Sequence, residues 1–255
     1  MLRGQYMAGT GMMLQRRLME NITHNITNAD TTGYKKNHLV SRSFDDVLIQ
    51  RIRDGGDAAG SARAQAVGPL NFGTRVDQVY VSFEQGILEQ TDLNTDLALT
   101  GEGFFVLETP QGERYTRSGA FYLTQDGYLV DSQGHFLLGT EGRVQVGGED
   151  FAVGGRGEVS VGDEVVNRLR LVTFANPQAL RKQGDSLYAA QGEAPLEEAP
   201  EAAVKQGFLE GSNIEIGREM VDMMTVYRVY ETNQRILSMI DETVGKAVNE
   251  IGRLR

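Results

Sequence analysis

Apolar positions change their period twice along this chain. Between Met7 and Asn28, Leu14, Leu18, Ile22 and Ile26 recur four apart with no proline between them, which predicts a helix. It should stop where Asn28-Ala29-Asp30-Thr31-Thr32-Gly33 gathers turn formers, because Gly33 can take the positive φ that ends a helix cheaply. From Val76 to Val146 the pattern becomes strand-like, with short apolar runs punctuated by Gly101, Gly103, Gly112, Gly119, Gly127 and Gly134. Strands are predicted at Phe104-Phe105-Val106-Leu107, Tyr115-Thr116-Arg117, Ala120-Phe121-Tyr122-Leu123 and Tyr128-Leu129-Val130, with hairpin turns at Gln125-Asp126-Gly127 and Ser132-Gln133-Gly134. One more run, residues 168–174, reads as a strand.

The last segment returns to a helical period. Met220, Met223, Tyr227, Tyr230, Gln234, Leu237, Asp241, Val244, Val248 and Ile251 alternate steps of three and four. A seam this regular predicts a long coiled-coil helix, starting near Ser212 or Asn213, either of which can act as N-cap. Two stretches interrupt the pattern: Asp54-Gly55-Gly56-Asp57-Ala58-Ala59-Gly60-Ser61 has the composition of a flexible loop, and residues 192–201, with two prolines and four glutamates, read as a solvated one. The resulting fold class is α+β, with long N- and C-terminal helices forming a coiled coil around a β-rich centre. The divisions fall at 1–33, 34–75, 76–206 and 207–255.

A helix at each end suggests that the two termini pack on each other. Neither stripe is wide enough to fold a domain alone, and isolated helices are marginal in water. The ends of a free monomer are therefore expected to order only as neighbours complete the interface. Gln234 and Asp241, polar positions in the seam, either fix register or mark where the seam turns to water. Asn21, Asn25 and Asn28 form one polar stripe on the first helix; Asn25 and Asn28 either bond to neighbouring subunits or face solvent, with spacing favouring solvent. Met220, Met223 and Met224 offer adaptable packing.

Charge and composition narrow the classes. The 255 residues carry a formal charge of -10 and contain no cysteine, which argues against a nucleic-acid binder and excludes disulfides, thiolate metal sites and a cysteine nucleophile. Residues 1–36 sum to +3 and 213–255 to -1, leaving -12 for the middle, as suits a solvated body with ends that meet other chains. There is no stretch of about 18 apolar residues and no cleavable signal-peptide pattern at Met1-Leu2-Arg3-Gly4-Gln5-Tyr6, so export would need another route.

Several segments together resemble the flagellar rod and hook axial proteins, most closely the basal-body rod type, distal-rod-like. At the N-terminus these are Met1-Leu2-Arg3-Gly4 and Asn25-Ile26-Thr27-Asn28-Ala29-Asp30-Thr31-Thr32-Gly33-Tyr34-Lys35, with His24 and Thr27 departing from the usual Asn and Ala. In the middle they are Gln85-Gly86-Ile87-Leu88-Glu89-Gln90-Thr91, Asp96-Leu97-Ala98-Leu99-Thr100-Gly101-Glu102-Gly103-Phe104-Phe105 and Tyr115-Thr116-Arg117-Ser118-Gly119. At the C-terminus Gly207-Phe208-Leu209-Glu210-Gly211-Ser212-Asn213-Ile214, Glu219-Met220-Val221, Arg228-Val229-Tyr230-Glu231 and Asn233 match the family's last helix. The resemblance implies a structural subunit without enzymatic activity or cofactor. It implies export by the flagellar type III apparatus and insertion into a helical polymer of itself, with other rod subunits and hook protein as neighbours, to transmit torque toward the hook. It places the chain in the basal body, outside the cytoplasmic membrane. Phe44 and Leu48 fit the Phe-x-x-x-apolar export element; equally, one helical turn apart, they could anchor a helix on the core.

No rival chemistry is concentrated anywhere. His24, His38 and His135 lack the spacing that puts two metal ligands on one helix face, and Val106 stands where a dinucleotide fingerprint needs glycine. The sequons Asn21-Ile22-Thr23 and Asn25-Ile26-Thr27 lie on a predicted helix without a signal peptide. A secreted β-rich adhesin and a rod-associated peptidoglycan hydrolase are the alternatives. The hydrolase needs a pair of carboxylates in a cleft, which no short constellation singles out. No nucleic acid or small-molecule substrate is expected.

Overall fold

The computed structural model describes residues 2–51, 65–148, 150–162, 164–184, 186–190, 196–197 and 202–251. The loop predicted at 54–61 lies outside them, as does most of 192–201. Two compact units emerge. One joins Met1–His24, His38–Tyr80 and Gly217–Arg255; the other joins Asn25–Asn37 and Val81–Ile216.

Helix α1, Leu2–Thr27, and helix α2, Ile216–Lys246, form as their apolar spacing requires. Within the first unit they run antiparallel where they touch. Gly4 faces Ile240, Gly11 faces Asn233, and a Cβ at either glycine would sit 3.0 Å from that neighbour. Gln5 donates to the Asp241 carboxylate at 2.6 Å. The same unit carries two ribbons. Asn37–Ser43 pairs with Thr74–Val81, and Val47–Arg51 pairs antiparallel with Gln65–Leu70, with a bulge between Ile49 and Gln50.

The second unit is built around the strand Phe104–Thr109. One edge pairs with Gly112–Thr116; the other is shared by Phe136–Gly139 and Leu171–Thr173. Phe105 and Leu107 enter one core with Leu97, Leu99, Phe121, Leu129 and Leu137, while Phe104 and Val106 enter a second with Tyr115, Val172, Phe174 and Tyr188. Burial on both faces explains why this strand reads as an unbroken apolar run instead of alternating. Each such large side chain contributes roughly 1.5–3 kcal/mol by leaving water.

Hairpins close where the turn residues stand. Leu123 pairs with Leu129 around a turn with Gly127 at φ +78, and Val130 pairs with Phe136 around one with Gly134 at φ +84. The strand predicted over 168–174 is two strands, Glu164–Arg168 and Leu171–Thr173, because the chain changes sheets there: Leu169 donates its amide to Gly157 and Arg170 to Leu138. The expected helix start at Ser212 or Asn213 is also corrected. The helix opens at Ile216, and the Asn213 side chain is engaged elsewhere.

Candidate functional site

The turn after α1 enters the second unit with little freedom. Gly33 takes φ +65, and an added Cβ would lie 2.4 Å from the Ser118 amide nitrogen, so the position tolerates glycine alone on both conformational and steric grounds. Its amide donates to the Glu210 carbonyl at 2.7 Å, which brings Tyr34 and Lys35 inside.

Lys35 and Glu210 are both fully buried and pair at 2.6 Å. The Lys35 ammonium also donates to the Glu84 carbonyl at 2.7 Å, and Glu210 accepts from the Gly86 amide at 2.9 Å. Arg117 completes the cluster. It lies 3.5 Å from the second Glu210 oxygen, donates to the Gly101 carbonyl at 2.8 Å, and stacks over Phe104 at 5.4 Å. Burial pushes both cations below their ordinary values, and the Glu210 carboxylate pulls them back up. Lys182 sits 3.3 Å above the Tyr34 ring and is pushed down to about 8 by burial. Beside this node Asn213 accepts from the Lys36 amide at 2.8 Å and donates to the Ser82 and Glu84 carbonyls, fastening residues 35–36 to 210–213.

The sequence reading overlooked this node. Lys35, Arg117 and Glu210 belong to three separate motifs, and the available signal is that each motif holds a charge within two residues of a glycine, Gly33, Gly119 and Gly211. Chemically the node is a clamp: its charges are spent on one another and on backbone groups. Among the described residues no cluster of His, Cys, Asp or Glu could hold a metal ion.

Asn25 corrects the expectation of a solvent-facing stripe. It is buried, its amide donates to the Asn37 carbonyl at 3.0 Å, and its oxygen accepts from the Asn37 amide at 3.1 Å, so it bridges the chain across its own turn. Asn28 is half-buried, with its side chain 3.5 Å from the Thr31 hydroxyl.

On α1, Leu14 and Ile22 are buried and Leu18 and Ile26 half-buried. On α2 and the π-helical turn Ala247–Ile251 that continues it, the protected column runs through Glu219, Met223, Val226, Tyr230, Asn233, Leu237, Ile240, Val244 and Ala247. It shares Met223, Tyr230, Leu237 and Val244 with the seam read from the sequence. Met220, Tyr227, Gln234, Asp241 and Val248, one residue along from the protected positions, face solvent, although Asp241 meets Gln5; the Ile251 side chain lies outside the described residues. Two columns flank the shared one, and Val226, Asn233, Ile240 and Ala247 make the more apolar flank.

The Phe44–Leu48 pair is not helical. Phe44 is half-buried, with Tyr6 at 6.5 Å and the Arg75 guanidinium at 5.9 Å, and the Asn71 amide donates to its carbonyl. Leu48 is exposed on the strand Val47–Arg51. The alternative that they anchor a helix is thereby removed.

Comparison with known proteins matches three stretches of the chain to flagellar families. Residues 6–35 match the flagella basal body rod protein family, 98–161 the flagellar hook protein FlgE/F/G D1 domain, and 205–250 the flagellar basal body rod FlgEFG protein C-terminal family. The chain is 31% identical to the flagellar basal-body rod protein FlgG of Bacillus subtilis, over 98% of this chain and 99% of that one. It is 31% identical to the flagellar hook-basal body complex protein FlhO of the same organism, over the full length of both, and 32% identical to FlgG of Agrobacterium fabrum, over 94% and 96%. These matches set aside the adhesin and hydrolase readings, and the chain belongs to the flagellar basal-body rod protein family, structural proteins of the bacterial flagellum.

Proposed function

We propose that this chain is a rod subunit exported by the flagellar type III apparatus and polymerised through its terminal helices, which wind into a coiled coil in the assembled tube. Its neighbours are copies of itself, other rod subunits and hook protein, and its mechanical task is to carry torque toward the hook. The supporting observation is a second set of apolar positions, Met220, Met224 and Tyr227 near the start of α2 and Val248 in the π-helical turn Ala247–Ile251 that follows it, exposed beside a protected heptad column. A helix needs one such column to pack within its own chain; a second at similar spacing is accounted for by packing between chains. Gln234 and Asp241, on the same exposed flank, are polar contacts that would set register.

The test is the double variant Met224→Asp/Tyr227→Asp. Both positions are exposed, so thermal unfolding of the monomer should match the parent, while sedimentation and electron microscopy should show no polymer. Normal polymers from this variant would sink the reading. Leu48 is exposed, so Leu48→Ala should lower the amount of chain exported while the purified protein melts as before, and Phe44→Ala should lower it further at some cost in stability from its contacts with Tyr6 and Arg75; unchanged export in both would remove them from the signal.

A further inference from the structure

The chain has nine methionines and neither cysteine nor tryptophan. Every methionine falls in a terminal segment: Met1, Met7, Met12, Met13 and Met19 at one end, Met220, Met223, Met224 and Met239 at the other. Helices α1 and α2 hold 26 and 31 of the 255 residues, so an even spread would have left most methionines in the β-rich unit, which has none. Among the described residues five are open to solvent: Met7 at 46%, Met13 at 67%, Met220 at 52%, Met224 at 54% and Met239 at 57% relative exposure. The protein's oxidisable sulfur is therefore confined to the two terminal segments that the assembly reading assigns to contact between chains, and five of its sulfurs lie on their open faces.

We propose that these methionines form a peroxide-sensitive modification site that controls assembly, an inference that rests on the terminal helices being the polymerising surface. The thioether sulfur attacks the distal oxygen of hydrogen peroxide; the O–O bond breaks as the S–O bond forms. The hydroxide released takes up the proton left on the new sulfoxide oxygen and departs as water. Sulfur loses two electrons and peroxide gains them. A flexible apolar side chain becomes a polar, chiral one that would have to be desolvated in the interface. The β-rich unit holds no sulfur, so it is untouched. The change is reversible by methionine sulfoxide reductases, unlike oxidation of cysteine beyond the sulfenic stage.

The full-length chain is treated with hydrogen peroxide and divided. Peptide mass spectrometry reads sulfoxide at each methionine, circular dichroism reads the melting of the β-rich unit, and light scattering with sedimentation reads polymer growth. Sulfoxide should accumulate at the five exposed positions with the β melting unchanged. Growth should slow at least tenfold and recover after treatment with a sulfoxide reductase. The same positions in preformed polymer should oxidise at least tenfold more slowly. A variant with all five replaced by leucine should assemble like the parent and ignore peroxide. Oxidised chains that grow at the parental rate, equal oxidation in polymer and free chain, or a leucine variant that stays peroxide-sensitive would each overturn the switch while leaving the assembly reading intact. Untreated chains that never polymerise would overturn both.

Discussion

The β-rich unit and the terminal helices satisfy their apolar patterns in different ways. Phe104, Phe105, Val106 and Leu107 are consecutive and all buried, divided between two cores within one unit. On α2, Met223, Tyr230, Leu237 and Val244 are half-buried while Met220 and Tyr227 beside them, and Val248 just past its end, lie open. The β pattern is consumed by its own chain. The helical pattern exceeds what its own chain uses, and it is on that surplus that the proposed assembly rests.

Mutations can test how sharply the two regions differ. The largest losses are expected inside the β-rich unit. Phe105→Ala should cost about 3–5 kcal/mol by opening a cavity, and Glu210→Ala a similar 3–5 kcal/mol by leaving Lys35 and Arg117 buried without their carboxylate. Both are read by denaturant unfolding followed on the β signal. Gly33→Ala comes next. Its φ of +65 alone predicts about 1–3 kcal/mol, and the approach to Ser118 adds to it. Met224→Ala should change monomer stability by less than about 0.5 kcal/mol, yet slow polymer growth; a large loss of monomer stability would erase the contrast.

The smallest effect is one of pH. Lys182 is held near 8 in the folded chain against 10.5 for a free lysine, so between those values the unfolded chain binds more protons and stability rises with pH. The Tyr34 ring, which favours the ammonium, opposes burial. Lys182→Met should flatten the pH 8–10.5 rise relative to the parent, read by melting across that range; an identical slope would show that the ring has cancelled the effect of burial.

What was legible in the sequence was local. Gly33, Gly127 and Gly134 were expected to turn the chain and do so with positive φ. Leu14, Leu18, Ile22 and Ile26 were expected on one face and are protected together. What escaped depended on distant partners. Asn213 has the chemistry of an N-cap, but Lys36, Ser82 and Glu84 compete for its side chain, and nothing near position 213 announces them. Asn25 looks like a surface residue until Asn37 supplies both a donor and an acceptor. Phe44 and Leu48 carry a helical spacing, yet Phe44 stands in the connection after Asn37–Ser43 and Leu48 on the strand Val47–Arg51, because each is held by pairing with a segment farther along the chain. The Glu210 node was invisible for the same reason: a charge reveals its burial only through partners elsewhere in the chain.

That node also ties two passages of the chain together within the second unit. The backbone crosses it at residues 33–36 and again at 210–213, and the Gly33–Glu210, Lys35–Glu210 and Lys36–Asn213 bonds tie the crossings together. Pulled in opposite directions along the chain, the two passages should load these bonds together, as a rivet does and a zipper does not, and force-extension of the second unit should show one abrupt rupture, not a series of small ones.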